Sequence, residues 1–99
     1  MRILVVDDEE IMRDLLTEIL TGEGYELVTV PGGREAIDLL AQERFDAVIT
    51  DMLMPDVNGI EVVRAAKRID PMYPVMAMTG YPSAVAAKDL RSLGVSSYI

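Results

Sequence analysis

Ala47-Val48-Ile49-Thr50-Asp51 is an apolar run closed by a carboxylate. Ile3-Leu4-Val5-Val6 stops in the same way at Asp7-Asp8-Glu9-Glu10, and Pro74-Val75-Met76-Ala77-Met78 ends at Thr79-Gly80. Runs this short and this apolar read as strands buried on both faces. Strands that each end in a carboxylate or hydroxyl can bring those groups together at one edge of a parallel sheet. Open α/β sheets place their ligand sites at that edge.

Between the strands the spacing changes to that of helices. Within Glu10–Leu20, Ile11, Leu15, Ile19 and Met12, Leu16, Leu20 recur every four residues, and Gly22 or Gly24 supplies the stop. Tyr25–Val30 is rich in β-formers, Pro31-Gly32-Gly33 breaks the chain, and Arg34–Gln42 looks helical. Asp46–Thr50 is the third strand, Ile60–Arg68 the third helix, and Pro71 and Pro74 bracket the turn into the fourth strand. Ser83 suits the N-cap of a helix reaching Leu93, which Gly94 would end, and Ser96–Ile99 starts a fifth strand. Five βα repeats without a linker predict an α/β, doubly wound parallel sheet, since short parallel strands need helical crossovers. Period and polarity leave the strand order open. No repeat or boundary divides the chain, so residues 1–99 are expected to form one domain.

Composition narrows the chemistry. Hydrophobic residues make up 51% and charged residues 26%, as in an ordinary globular chain. Cysteine and histidine are both absent, which removes disulfides, thiolate metal sites and the commonest general base. No apolar run approaches a membrane span and no secretory signal opens the chain, so a cytoplasmic location is expected. A net charge of −8 argues against direct nucleic-acid binding through phosphates. The charge is uneven: residues 1–56 hold 14 acids and 4 bases, residues 57–99 hold 3 acids and 5 bases. Arg64, Lys67 and Arg68 supply most of that basic excess, as a solvated helix face or as a docking patch.

If Asp7, Asp8 and Asp51 converge, two carboxylates about 4 Å apart repel by roughly 1 kcal/mol in water and about 4 at an effective dielectric of 20. A proton or a cation relieves such a cluster. Oxygen ligands without His or Cys select a hard ion such as Mg2+. A carboxylate can also attack a phosphoryl group to form an acyl phosphate, with hydroxyl and backbone donors holding the transferring oxygens. Thr79 suits that donor role, and Gly80 leaves room beside it. Each residue alone has a plainer reading: Asp7–Glu10 as helix caps, Asp51 as a turn residue before Pro55, Thr79 as an ordinary strand end, Tyr98 as a strand aromatic. The combination is far more specific than its members.

Ile3 through Glu9, the segment Asp51-Met52-Leu53-Met54-Pro55-Asp56-Val57-Asn58-Gly59, then Met78-Thr79-Gly80, and Gly94 through Ile99 together resemble the receiver domain of two-component response regulators. The resemblance implies a flavodoxin-like sheet of order 2-1-3-4-5. It implies Asp51 as the phosphoacceptor, with Asp8, Asp51 and the Leu53 carbonyl as direct Mg2+ ligands and Asp7 acting through a water. It implies Thr79 as the switch hydroxyl and Tyr98 as the switch aromatic. The phosphodonor would be a sensor histidine kinase or a histidine phosphotransfer domain. Such a domain hydrolyses its own acyl phosphate slowly and often controls an output domain.

Two features depart from that pattern. The lysine that receivers carry after the fifth strand would fall just beyond Ile99, and the last helix would follow it. The chain is therefore expected to be a shortened receiver whose uncovered sheet favours a homo-oligomer or a swapped dimer. Three other classes compete. An aspartyl-nucleophile phosphatase often has a second acid where Leu53 stands. A flavin carrier on the same fold would be repelled by Asp7-Asp8-Glu9-Glu10. A receiver-like interaction module that is never phosphorylated would not need the acid set.

Overall fold

The computed structural model describes residues 1–52, 54, 57–78 and 97–98. In chain order these form β1 (Arg2–Val6), α1 (Glu10–Gly22), β2 (Glu26–Val30), α2 (Gly33–Gln42), β3 (Ala47–Asp51), α3 (Gly59–Ile69), β4 (Val75–Met78) and β5 (Ser97–Tyr98). The helix expected from Ser83 to Leu93 lies outside the described residues.

All pairings are parallel and the sheet order is β2-β1-β3-β4-β5, the flavodoxin-like order that the resemblance implied. The chain runs outward from β1 to β2, returns past β1 to β3, and continues to β4 and β5. This reversal leaves the carboxyl ends of β1 and β3 side by side, with Val6 opposite Thr50. A crevice opens at such a switch point.

The core is unequal on the two faces. Leu4, Val6, Val48, Val75 and Ala77 point toward α2 and α3 and pack with Ala36, Leu40, Val62, Val63 and Ala66. Ile3, Val5 and Ile49 point the other way, where Leu16 and Leu20 of α1 cover them in part. The spacing of α1 allowed two apolar rows, and the sheet takes only one. Leu16 and Leu20 pack inward, while Ile11, Leu15 and Ile19 stay 80%, 46% and 52% exposed.

The amino end of the sheet is closed by charge and aromatic contacts. Arg2 pairs with Glu43, and its backbone N–H donates to the Asp46 carboxylate at 2.6 Å. That bond explains why β3 starts at Ala47 rather than Asp46: Asp46 is occupied as an anchor. Tyr73 is fully buried, and its hydroxyl accepts the Phe45 N–H at 2.8 Å. Arg44 lies 4.3 Å from the Tyr73 ring centroid and donates to Asp70 at 2.9 Å. The Asp70 carboxyl is held below the usual carboxylate range by that guanidinium and, next, by the Met72 N–H.

Candidate metal centre

The carboxyl end of the sheet gathers its acids. Asp7 follows β1 directly. Its N–H donates to Val30 O at 3.2 Å and its carbonyl accepts from the Arg13 guanidinium at 2.6 Å. Its Oδ1 accepts the Glu9 N–H at 2.9 Å. This side-chain-to-backbone turn fixes a carboxylate that is only 3% exposed. Helix α1 then starts at Glu10, with Glu9 at the N-cap making no side-chain capping bond. The plain reading of this acidic run as caps does not describe Glu9 or Asp7.

Asp51 ends β3 opposite Met78, and the Met52 N–H donates to Met78 O at 3.1 Å. The strand therefore extends one residue beyond the expected Thr50, because the ladder continues through Asp51. Thr50 is wholly buried and donates its hydroxyl to Asp51 O at 3.0 Å. On the other side, helix α3 arrives with Asn58 as its N-cap, accepting the Glu61 N–H at 3.3 Å. A Cβ on Gly59 would sit 2.3 Å from Asp51 O and 2.7 Å from Met52 Cα. Only glycine lets the helix reach this close to the Asp51 backbone. Gly33 has a similar task, since its Cβ would lie 2.6 Å from Val57 O. Neither role was read from the sequence, where Pro31-Gly32-Gly33 signalled a chain break and Gly59 stood just before the helix expected from Ile60, without showing what approaches them.

One carboxylate oxygen each from Asp7, Asp8 and Asp51 lies within 4.8 Å of the others. Their environments are graded: Asp7 is buried, Asp51 half-buried and Asp8 exposed. Among the described residues no ion pair joins Asp7 or Asp8 to a base. Repulsion of about 4 kcal/mol per close pair at an effective dielectric of 20 makes a cation the natural counterpart. The all-oxygen donor set fits a hard divalent ion. Ligands of one octahedral Mg2+ stand at most about 4.2 Å apart, twice a bond of about 2.1 Å. Separations bounded at 4.8 Å are of that order. Beside Asp8 a cavity of about 210 Å³ opens against Gly32, Arg34, Glu35 and Val57.

Leu53 and Thr79 lie outside the described residues. Tyr98 is placed by its backbone, in register with Ala77; its side chain lies outside as well. The basic residues of α3 are partly used nearby: Arg64 pairs with Glu61 at 3.2 Å, and the Lys67 ammonium donates to Tyr73 O at 2.6 Å. That favours the solvated-face reading over a docking patch.

Known proteins show the same organisation. The chain is 35% identical over 97 residues to sporulation initiation phosphotransferase F of Bacillus subtilis, spanning 98% of this chain and 78% of that protein. It is 40% identical over 82 residues to the response regulator MprA of Mycolicibacterium vanbaalenii, covering 83% of this chain but only 36% of that longer protein. Among solved structures, response regulator protein TrrA of Thermotoga maritima in complex with Mg2+ and BeF superposes with a TM-score of 0.88 at 37% identity, covering 99% of this chain and 84% of that one. Residues 3–99 match the family model of the response regulator receiver domain. The chain belongs to that family, the receiver domains of two-component response regulators.

Proposed function

We propose that Asp51 is the phosphoacceptor, and that residues 1–99 work as one receiver unit that takes its phosphoryl group from a phosphohistidine on a sensor histidine kinase or histidine phosphotransfer domain. The observation that carries this reading is the three-carboxylate cluster at the β1–β3 switch point. Its members are not equivalent. Asp7 is buried with one oxygen already accepting a backbone N–H, and Asp8 is exposed on the loop. Asp51 is half-buried and held by a strand ladder, rigid enough to aim and open enough to react.

In the forward step an Asp51 carboxylate oxygen attacks phosphorus in line. The P–N bond to imidazole breaks, and its electron pair leaves with the imidazole nitrogen. In the reverse of activation, water attacks phosphorus, releasing inorganic phosphate and restoring the carboxylate. Asp8, Asp51 and the Leu53 carbonyl would hold Mg2+, with Asp7 acting through a water, and the ion would supply charge neutralisation on the transferring oxygens. Thr79 then acts as the switch hydroxyl and Tyr98 as the aromatic that follows it, so that phosphate selects one of two surface states. The domain is a signalling module that phosphorylates itself from small donors and slowly hydrolyses the product, not an enzyme acting on other substrates. Its partners are the phosphodonor and an output domain in the parent protein. The acidic charge leaves no direct role on nucleic acid.

Among the described residues no helix is long and apolar enough to cross a membrane, and we place the domain in the cytoplasm, to be checked by fractionation. An apolar groove over Ile3, Ala47, Ile49 and Met76 is the surface through which copies would associate, to be checked by sedimentation over a concentration series. Intact mass after incubation with Mg2+ and acetyl phosphate tests the main reading. Wild type gains one phosphoryl unit and Asp51→Asn gains none. A gain that persists in Asp51→Asn overturns the assignment, and none in wild type favours an interaction module that is not phosphorylated.

A further inference from the structure

Arg13, Leu16 and Leu20 are three and four residues apart, so they share one side of α1. Leu16 and Leu20 pack against the sheet, and Arg13 continues their row toward the acid cluster, half-buried. A base on the inward side of a helix is unfavourable unless its donors are met. The Arg13 guanidinium donates to Asp7 O at 2.6 Å. That carbonyl lies past the last registered pairs of β1, Val6 with Val30 and Val6 with Thr50. The Asp7 N–H closes the ladder on Val30 O, and the arginine serves the carbonyl that follows. The Arg13 backbone N–H meanwhile donates to Glu9 O at 3.1 Å. One residue therefore holds the chain on both sides of Asp8. The Glu9 N–H on Asp7 Oδ1, at 2.9 Å, draws the same turn together.

We infer that Arg13 is a positioning residue of the metal centre: by clamping Asp7 and Glu9 it fixes the direction of Asp8, and with it the affinity of the site for Mg2+. The inference rests on the reading of Asp7, Asp8 and Asp51 as the acids that hold the ion. Asp8 is exposed, so its neighbours in the chain, not packing around its side chain, set where it points. The arginine reaches a backbone carbonyl and leaves the carboxylate oxygens of the cluster to the cation. Charge and geometry act here with opposite sign. A guanidinium beside the cluster repels an arriving cation, so on charge alone its removal would tighten Mg2+ binding. Removing a partner that orients metal ligands weakens binding instead, typically by about tenfold or more. The sign of the change therefore tells the two roles apart.

The test uses the whole 99-residue chain, isotope-labelled, as wild type, Arg13→Met, Arg13→Lys and Leu20→Ala. Leu20→Ala loosens α1 against the sheet about two turns from the acids and controls for general destabilisation. Backbone amide resonances followed through a Mg2+ titration give the Kd of each folded protein. Arg13→Met is expected to raise Kd by about tenfold, Arg13→Lys to restore most of the loss, and Leu20→Ala to leave Kd unchanged. In the metal-free protein, solvent exchange of the Glu9 amide should quicken by about tenfold in Arg13→Met, as the turn it closes opens more often, and by less in Arg13→Lys. An unchanged or lower Kd in Arg13→Met overturns the proposal, and so does an equal rise in Leu20→Ala. Absence of Mg2+ binding in wild type would defeat the reading of the three acids instead. The Glu9 exchange then judges the clamp, and an unchanged rate in Arg13→Met overturns it.

Discussion

The two ends of the sheet use the same residue types to opposite effect. At the amino end Glu43, Asp46 and Asp70 each meet arginine, through a side chain or the Arg2 backbone. Arg2 and Arg44 also lie over the Phe45 and Tyr73 rings. At the carboxyl end Asp7, Asp8 and Asp51 meet each other. An acid beside a base is finished structurally, with modest worth at an exposed site. An acid beside other acids is destabilised until something binds, and that stored repulsion is available for recognition. Among the described residues the candidate site therefore sits where Asp7 and Asp8 form no ion pair with a base.

That contrast can be broken at several points. The largest effect is expected at Asp51: Asp51→Asn should abolish phosphoryl incorporation while raising the melting temperature measured in EDTA, because one of three repelling charges is gone. Mg2+ should stabilise wild type by mass action, by about 2.7 kcal/mol at a hundredfold excess over Kd, and so raise its melting temperature, and should do so far less in Asp51→Asn or Asp8→Asn. Calorimetry with and without EDTA would show it. Gly59→Val comes next. Its side chain would collide with the Asp51 carbonyl and Met52 Cα, so urea denaturation should show a loss of about 1–3 kcal/mol or more, with weaker Mg2+ binding as Asp51 shifts.

The amino end should separate cleanly from these. Tyr73→Phe removes the acceptor of the Phe45 N–H inside the core, an expected cost of about 1–3 kcal/mol. Phosphoryl incorporation in the folded fraction should be unchanged. The smallest effect belongs to Arg44 and Asp70. A depressed carboxyl stabilises the fold above its unfolded titration range, and that contribution is lost as pH falls through the folded value. Asp70→Asn should slightly flatten the acid limb of a stability–pH curve, and salt should mask the difference, since both groups are exposed. An equal response in Mg2+ affinity would mean that the two ends are coupled.

Much of the site was readable before any coordinates. Apolar runs ending in acids marked β1 and β3, and Asp7, Asp8 and Asp51 do meet. The spacing of α1 could not say which of two equivalent rows faces the sheet, because both repeat every four residues. Gly59 stood just ahead of the helix expected from Ile60, although its requirement comes from Asp51 O, eight positions away in sequence and close in space. Thr50 and Tyr73 looked like ordinary strand and loop residues. The first supports the Asp51 carbonyl, and the second closes the far end of the core.

Local pattern in the chain was enough to establish an alternating α/β domain with carboxylates at its strand ends, since period and polarity are properties of neighbours. Tertiary packing decided that β1 lies between β2 and β3, and that Leu16 rather than Leu15 turns inward. It also decided that Glu43 and Asp70 meet arginines while Asp7, Asp8 and Asp51 gather at the other end of the sheet. Those outcomes depend on contacts between segments far apart in sequence, whose energies no single segment contains.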